Sequence, residues 1–160
     1  MIPLSLVGVR VEVPTNQPIV LLREEEGNRH LPIFIGPPEA TAIVYALQGM
    51  DTPRPMTHDL FTSVLSDLGT TLHRVVITEL QEGTFFAELE FQRGDETFRV
   101  SSRPSDAIAL AVRQEGDVPI VAAPAVLEEA GVEFESEDED EQVEEFREFL
   151  DTVTPEDFAQ

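Results

Sequence analysis

Residues 101–112 read SSRPSDAIALAV, and this stretch does most to define the fold of the chain. Polar and turn-forming residues run directly into an almost wholly apolar segment. Pro104 suits the first position of a helix, where its missing N–H needs no partner. Asp106 then falls in the first turn, facing the positive end of the helix dipole. Because the helix that follows has no polar face, we expect it to be buried on all sides, with Arg103 held at its N-terminal end.

The start of this helix is repeated earlier in the chain. Residues 37–43 read PPEATAI and residues 104–110 read PSDAIAL, an offset of 67 positions (104 minus 37). Capping and dipole effects account for either acidic residue alone. A duplicated unit would also place Glu39 and Asp106 at related positions about a pseudo-twofold axis. We therefore predict that these two carboxylates lie near one another or near a shared cleft, with His58 in reach.

Each of these helix starts follows three segments with the pattern of strands. Predicted strands cover residues 9–13, 19–24, 30–35, 73–80, 84–91, 96–102 and 118–123. Predicted helices cover residues 37–48, 58–68, 104–112 and 124–130. Thr57 is the predicted cap of the second helix, whose apolar stripe comprises Leu60, Phe61, Val64, Leu65 and Leu68. The pattern predicts an α+β fold with mostly antiparallel sheets and packed helices, in two βββα-like halves.

The charge of the chain is strongly negative and unevenly spread. Its 160 residues include 32 acidic and 10 basic residues, for a net charge of −22. Residues 133–160 hold 13 acidic residues and one arginine, a net of −12. We predict one domain over residues 1–132, an acidic disordered linker over 133–142, and a short amphipathic helix and tail over 143–160. Such a surface repels nucleic acid at long range, which counts against a simple DNA- or RNA-binding module.

Several classes of protein and site are excluded or disfavoured. The absence of cysteine excludes disulfides and thiolate metal sites. No apolar run is long enough to span a bilayer, and the N-terminus lacks the features of a signal peptide, so we expect a cytoplasmic protein without a membrane partner. The sequence contains no GxSxG, HExxH, GxGxxG or phosphate-loop motif.

The remaining candidate chemistry rests on carboxylates, arginines and one histidine. The segment RPMTHDL places Arg54, His58 and Asp59 beside the start of the second helix. A histidine next to a carboxylate suits general base catalysis or metal binding. Carboxylates that hold a divalent ion, with arginine to neutralise developing charge, suit phosphodiester cleavage. The same residues fit a non-enzymatic protein with well-capped helices equally well.

Five segments of the chain, taken in order, resemble one known family. LPIFIG, RPMTHDL, LQEGTFFAEL, SSRPSDAIALAV and VPIVAAPAVLEEAG are similar to the motifs of the bifunctional nuclease domain family, over residues 5–132. The end of the chain, VEEFREFLDTVTPEDF, looks like the tails of actinobacterial members. The resemblance implies a mixed α+β domain, usually oligomeric, with nuclease activity on both DNA and RNA.

We assign roles, from side-chain chemistry, to residues that match these motifs. The predicted catalytic residues are His58, Asp59, Arg103 and Asp106. The predicted substrate-binding residues are Arg54, Arg103 and Ser105. The predicted ligands of a divalent metal, Mg or Mn, are Glu39, Glu82 and Asp106. The predicted function is hydrolysis of DNA or RNA by a homodimer or higher homo-oligomer; the alternative is a non-enzymatic regulatory or scaffold protein that recruits a partner through residues 143–158.

Overall fold

The computed structural model describes residues 1–11, 15–134 and 148–149. The strands within them are β1 (Ile2–Val11), β2 (Pro18–Glu24), β3 (Arg29–Phe34), β4 (Thr71–Gln81), β5 (Thr84–Arg93), β6 (Glu96–Ser102), β7 (Ile120–Ala122) and β8 (Val132–Glu133). The helices within them are α1 (Pro37–Leu47), α2 (Thr57–Asp67), α3 (Pro104–Ala111) and α4 (Pro124–Ala130). None of these helices has the length and apolar composition that crossing a bilayer requires.

The eight strands form one sheet in the order β6-β5-β4-β7-β1-β2-β3-β8. Neighbouring strands are antiparallel, except that β4 and β7 run parallel. Strands β1 to β3 form one antiparallel run and β4 to β6 form another, because strands that follow each other closely in the chain pair as hairpins. Strand β7 lies between the two runs and pairs with both. The predicted α+β class with two βββα-like halves is confirmed, and the halves share a single sheet.

The main core lies between one face of this sheet and the helices. Helix α3 is at its centre, where every residue from Ala107 to Ala111 is buried. It contacts α1, α2, β4 and β5. Complete burial of a side chain such as Ile108, which is 0% exposed, stabilises the fold by about 1.5–3 kcal/mol. The predicted burial of this helix on all sides is confirmed, and the elements that bury it all belong to the same chain.

The opposite face of the sheet carries a second, smaller apolar cluster at β2 and β3. Ile19, Leu21 and Phe34 alternate with the core-facing residues of these strands and are buried together with Phe134. Phe149, from the predicted C-terminal helix, packs against them. We call these five residues the outer cluster. Strands β2 and β3 are therefore covered on both faces.

Two boundaries differ from those predicted. Helix α2 begins at Thr57 and Met56 is its N-cap, so the prediction that Thr57 caps this helix is wrong. Oδ2 of Asp59 accepts a hydrogen bond from the Met56 N–H at 3.0 Å. The folded domain extends beyond residue 132, since Glu133 pairs with β3 and Phe134 is buried. The predicted linker beyond Phe134 and most of the predicted terminal helix lie outside the described residues.

The apolar face predicted for the first strand is only partly buried. A bulge between Leu6 and Gly8 moves the core-facing positions of β1 from even-numbered to odd-numbered residues. Val9 consequently packs against the core, while Val11, at the end of the strand, is 56% exposed. Val13 lies outside the described residues.

The apolar stripe predicted on α2 is mostly exposed. Leu65 packs against the main core. The other members of the predicted stripe are exposed; we call them the α2 apolar stripe, and they are Leu60, Phe61, Val64 and Leu68. No residue of α2 is fully buried. The helix therefore lies on the domain as an outer layer.

Candidate functional site

The first turns of α1, α2 and α3 bring four side chains together. Glu39 is the third residue of α1, His58 the second of α2 and Asp106 the third of α3, while Arg103 is the N-cap of α3. Proline begins both α1 and α3, so the repeated sequence pattern produces two similar helix starts, and the two helices contact each other. We call these four residues the site cluster.

Arg103 bridges the two carboxylates of the site cluster. Its Nη1 donates to Oε1 of Glu39 at 2.9 Å, and its Nε donates to Oδ2 of Asp106 at 2.9 Å. The other oxygen of Asp106, Oδ1, lies 2.9 Å from Nε2 of His58. The prediction that Glu39 and Asp106 lie near one another with His58 in reach is confirmed. The catalytic roles of these residues stay predictions.

The charges in the site cluster stabilise one another. Partial burial raises the pKa of the Asp106 carboxyl, but hydrogen bonds from Arg103 and His58 outweigh it and hold this pKa below its usual value. Hydrogen bonds to Asp106 and Glu39 raise the pKa of Arg103. Asp106 is therefore ionised and Arg103 charged throughout the neutral pH range. The Arg103 side chain is 51% exposed, so its guanidinium is accessible from solvent.

The two ring nitrogens of His58 have different environments. Nε2 faces the ionised carboxylate of Asp106, so in the neutral ring this nitrogen carries the hydrogen and donates it. Nδ1 then keeps its lone pair, and no described residue forms a hydrogen bond with it. A carboxylate that orients a histidine and leaves its second nitrogen basic is the usual arrangement of a general base.

Asp59 makes contacts of its own, although it follows His58 in the chain. Its Oδ1 accepts a hydrogen bond from Nε of Arg113 at 2.8 Å, and its Oδ2 accepts the Met56 N–H. The hydrogen bond from Arg113 holds the pKa of Asp59 below its usual value. Across the described residues, no hydrogen bond joins Asp59 to the site cluster. Both oxygens already have partners, so the predicted catalytic role of Asp59 gains no support from its contacts.

Arg113 is a further residue near the site, and none of the sequence motifs includes it. Its side chain is only 9% exposed, and its Nη1 donates to the carbonyl of Ala109 at 2.8 Å. The sequence contained one signal for Arg113, since it is a lone arginine directly after an apolar helix. Positive charge is favourable near the C-terminal end of a helix. Its partner Asp59 lies 54 positions away, so no local pattern indicates the pair.

Three other predicted residues are not members of the site cluster. Glu82 and Gly83 both have positive φ, 50° and 78°, and form the two-residue turn between β4 and β5, typical of type I′ hairpins. Ser105 is 1% exposed, which argues against the predicted contact with substrate. Arg54 is exposed in the loop before α2. Its role in substrate binding stays a prediction.

The predicted metal ligands do not form a metal site in this arrangement. Among the described residues, no three histidine or acidic side chains come close enough to hold an ion together. Glu39 and Asp106 do converge, but the guanidinium of Arg103 stands between them as their counter-charge. Glu82 lies in the turn between β4 and β5, and the predicted dependence on Mg or Mn stays a prediction.

The comparison with known proteins identifies the family. Residues 20–135 match the family model of the bifunctional nuclease domain, a span that runs from β2 past β8 and contains the whole site cluster. The chain belongs to the bifunctional nuclease domain family. Two proteins of Mycobacterium tuberculosis, from strains CDC 1551 / Oshkosh and ATCC 25618 / H37Rv, are each 48% identical to this bifunctional nuclease domain protein. The similarity covers 96% of this chain and 95% of each relative, and both relatives are named only as uncharacterized proteins.

Proposed function

We propose that this protein is a nuclease that hydrolyses phosphodiester bonds of DNA or RNA at the site cluster. The observation that carries the proposal is the contact between Nε2 of His58 and Oδ1 of Asp106, at 2.9 Å, beside the accessible guanidinium of Arg103. This arrangement offers an oriented base and a cation for phosphate in a chain that belongs to a nuclease-named family.

His58 is the proposed general base. Its Nδ1 takes a proton from a water molecule whose oxygen attacks phosphorus, forming a new P–O bond. The bond between phosphorus and the leaving sugar oxygen breaks, and that oxygen takes a proton from the imidazolium or from solvent. The products are a phosphate monoester end and a hydroxyl end. Asp106 keeps the hydrogen of His58 on Nε2 and stabilises the positive charge of the ring during the step.

Arg103 is the proposed contact with the phosphate. A planar guanidinium can bind two oxygens of a phosphate at once. In the resting site it binds one oxygen of each of two carboxylates. With half of its side chain exposed, Arg103 can turn one edge toward substrate while Nε stays on Asp106. Glu39 holds the other edge in the resting site through Nη1. Arg54, exposed in the loop before α2, is proposed to contact the nucleic acid further along the backbone.

The decisive experiment uses the full-length, tag-free protein. Cleavage of single-stranded DNA, duplex DNA and RNA is measured with magnesium, with manganese and with chelator, which also tests the predicted metal dependence. The matched pair of variants is His58→Gln and His73→Gln, since His73 is an exposed histidine on β4. We expect His58→Gln to lower the rate by about 100-fold or more and His73→Gln to leave it unchanged. Equal rates for His58→Gln and the wild type would assign the activity to a contaminant and favour a non-enzymatic function.

We further propose that a second copy of the chain covers the α2 apolar stripe. The apolar helix α3 gives no reason to expect an oligomer, because it is covered within a single chain. The exposed α2 apolar stripe is a reason to expect an oligomer, since it lies on a helix that is too short to be stable without packing. A twofold contact would place the stripe against itself. Light scattering at micromolar concentration should show a dimer of the wild type. Val64→Ser should weaken this dimer, whereas the control Val100→Ser, on exposed β6, should not. A monomeric wild type would contradict the proposal.

The C-terminal segment is proposed to regulate the site or recruit a protein through residues 143–158. Phe149 belongs to the outer cluster, on the face of the sheet opposite the helices that carry the site cluster. This contact anchors one residue of the segment to its own domain but does not bring that residue to the site. Self-inhibition would therefore act through the negative charge of the segment, whose effect on nucleic acid is long-ranged at low salt.

A further inference from the structure

We propose that Arg113 positions His58 for its contact with Asp106, acting through Asp59. The proposal rests on the proposed nuclease function of the site cluster and extends it to a residue outside that cluster. Arg113 is accordingly a positioning residue, and its effect is transmitted by the orientation of α2.

The first turn of α2 is attached to α3 at two points. Asp106, in the first turn of α3, contacts His58, and Arg113, just after the end of α3, contacts Asp59. Positions 106 and 113 are seven residues apart, which is about two helical turns and about 10 Å along one side of the helix. Two neighbouring residues of α2 are thus held by opposite ends of α3. This arrangement fixes both the position and the rotation of the first turn of α2.

Burial does not anchor this end of α2. None of its residues is fully buried, and its Leu65 packs against the core two turns further along the helix. Arg113, in contrast, is a firm anchor, since its side chain is 9% exposed and its Nη1 is bonded to the Ala109 carbonyl. Loss of the pair would leave the His58 contact with Asp106 as the main attachment of the first turn. We expect the imidazole then to move relative to the carboxylate that orients it.

Three variants test this step. Arg113→Gln removes the charged donor, and Asp59→Asn removes the same pair while its amide oxygen can still accept the Met56 N–H. We expect either change to lower kcat about 10- to 100-fold with KM unchanged, because the base and not the phosphate contact is displaced. Arg74→Gln is the matched control: it removes the Arg74–Glu90 pair, bonded at 2.8 and 2.9 Å, on the other face of the sheet. This control should leave kcat unaltered.

A double variant separates positioning from simple destabilisation. In the Asp106→Asn background His58 no longer acts as the oriented base, so adding Arg113→Gln should lower kcat no further. A full additional loss of about 10-fold or more in that background would overturn the proposal.

Ring ¹⁵N spectra of His58 provide a readout that needs no activity. The wild type and Arg74→Gln should show the hydrogen on Nε2, whereas Arg113→Gln and Asp59→Asn should show a mixture of tautomers. Unchanged His58 spectra in both of these variants would overturn the proposal even if the wild type cleaves nothing. Absence of cleavage together with altered spectra would instead contradict the nuclease function and leave the positioning contact intact.

Discussion

Replacement of Asp106 by asparagine should change which nitrogen of His58 carries the hydrogen. Arg103 can only donate hydrogen bonds, so its Nε should keep the amide oxygen of the new side chain and leave the amide NH₂ facing Nε2 of His58. Nε2 must then accept, the ring hydrogen moves to Nδ1, and the proposed base is lost. We expect kcat to fall by roughly 10²–10⁴-fold. Because the Asp106 side chain is 34% exposed, the cost in stability should be only about 1 kcal/mol.

The assay is single-turnover cleavage of a labelled oligonucleotide, with urea unfolding and ¹⁵N spectra of the same samples. Asp95→Asn, in the exposed turn between β5 and β6, is the control for loss of one negative charge. An Asp106→Asn protein that cleaves within about twofold of the wild type, or that keeps the His58 hydrogen on Nε2, would contradict the proposed role of Asp106.

Three further predictions concern other parts of the molecule. Gly36 has an ordinary φ of −78°, but a Cβ added by Gly36→Ala would meet the carboxylate of Glu39. We expect this variant to fold and to cleave about 10-fold or more slowly than the wild type. Equal cleavage rates would contradict a role for Glu39. Burial lowers the pKa of His30, so below the usual histidine pKa of about 6.5 the unfolded chain binds a proton that the folded chain does not. The free energy of unfolding should therefore fall as the pH drops through this region. Urea titrations of His30→Leu should lack this dependence of stability on pH. Deletion of residues 135–160 removes a net charge of −11 (12 acidic residues minus one arginine); affinity for nucleic acid should rise at low salt and the gain should shrink as salt increases, whereas equal affinities at low salt would leave recruitment of a partner as the better account.

The sequence predicted those features that depend on local chemistry. The proline and acidic residue at the start of α1 and α3, and the absence of a polar face on α3, indicated two similar helix starts and a buried central helix. Convergence of Glu39 and Asp106 followed from treating the two halves as related units. These signals lie within short windows of sequence, where helix start preferences act.

The features that were missed depend on contacts between distant parts of the chain. Arg103 was recognised as a functional residue, but not as a bridge to Glu39, 64 positions away. The pair of Asp59 and Arg113 and the bulge in β1 likewise depend on the partner strand or helix, which no local pattern specifies. The exposed α2 apolar stripe has the spacing of a core-facing helix, so its pattern alone cannot distinguish a core inside the chain from a surface that meets another protein.

Strand β7 has a consequence for how the protein is made on the ribosome. Its three residues pair with β1 at Ile2–Leu4 and with β4 at Val75–Ile77, so they join the two antiparallel runs. Ile2 and its partner Ala122 are 120 positions apart, which at ordinary rates of synthesis is roughly 6–24 s of translation. During that time β1 can form a hairpin with β2, but its other edge has no partner. The nascent chain therefore exposes an unpaired strand edge until nearly all of the domain has been synthesised, and this interval is when it is most prone to aggregate or to need a chaperone.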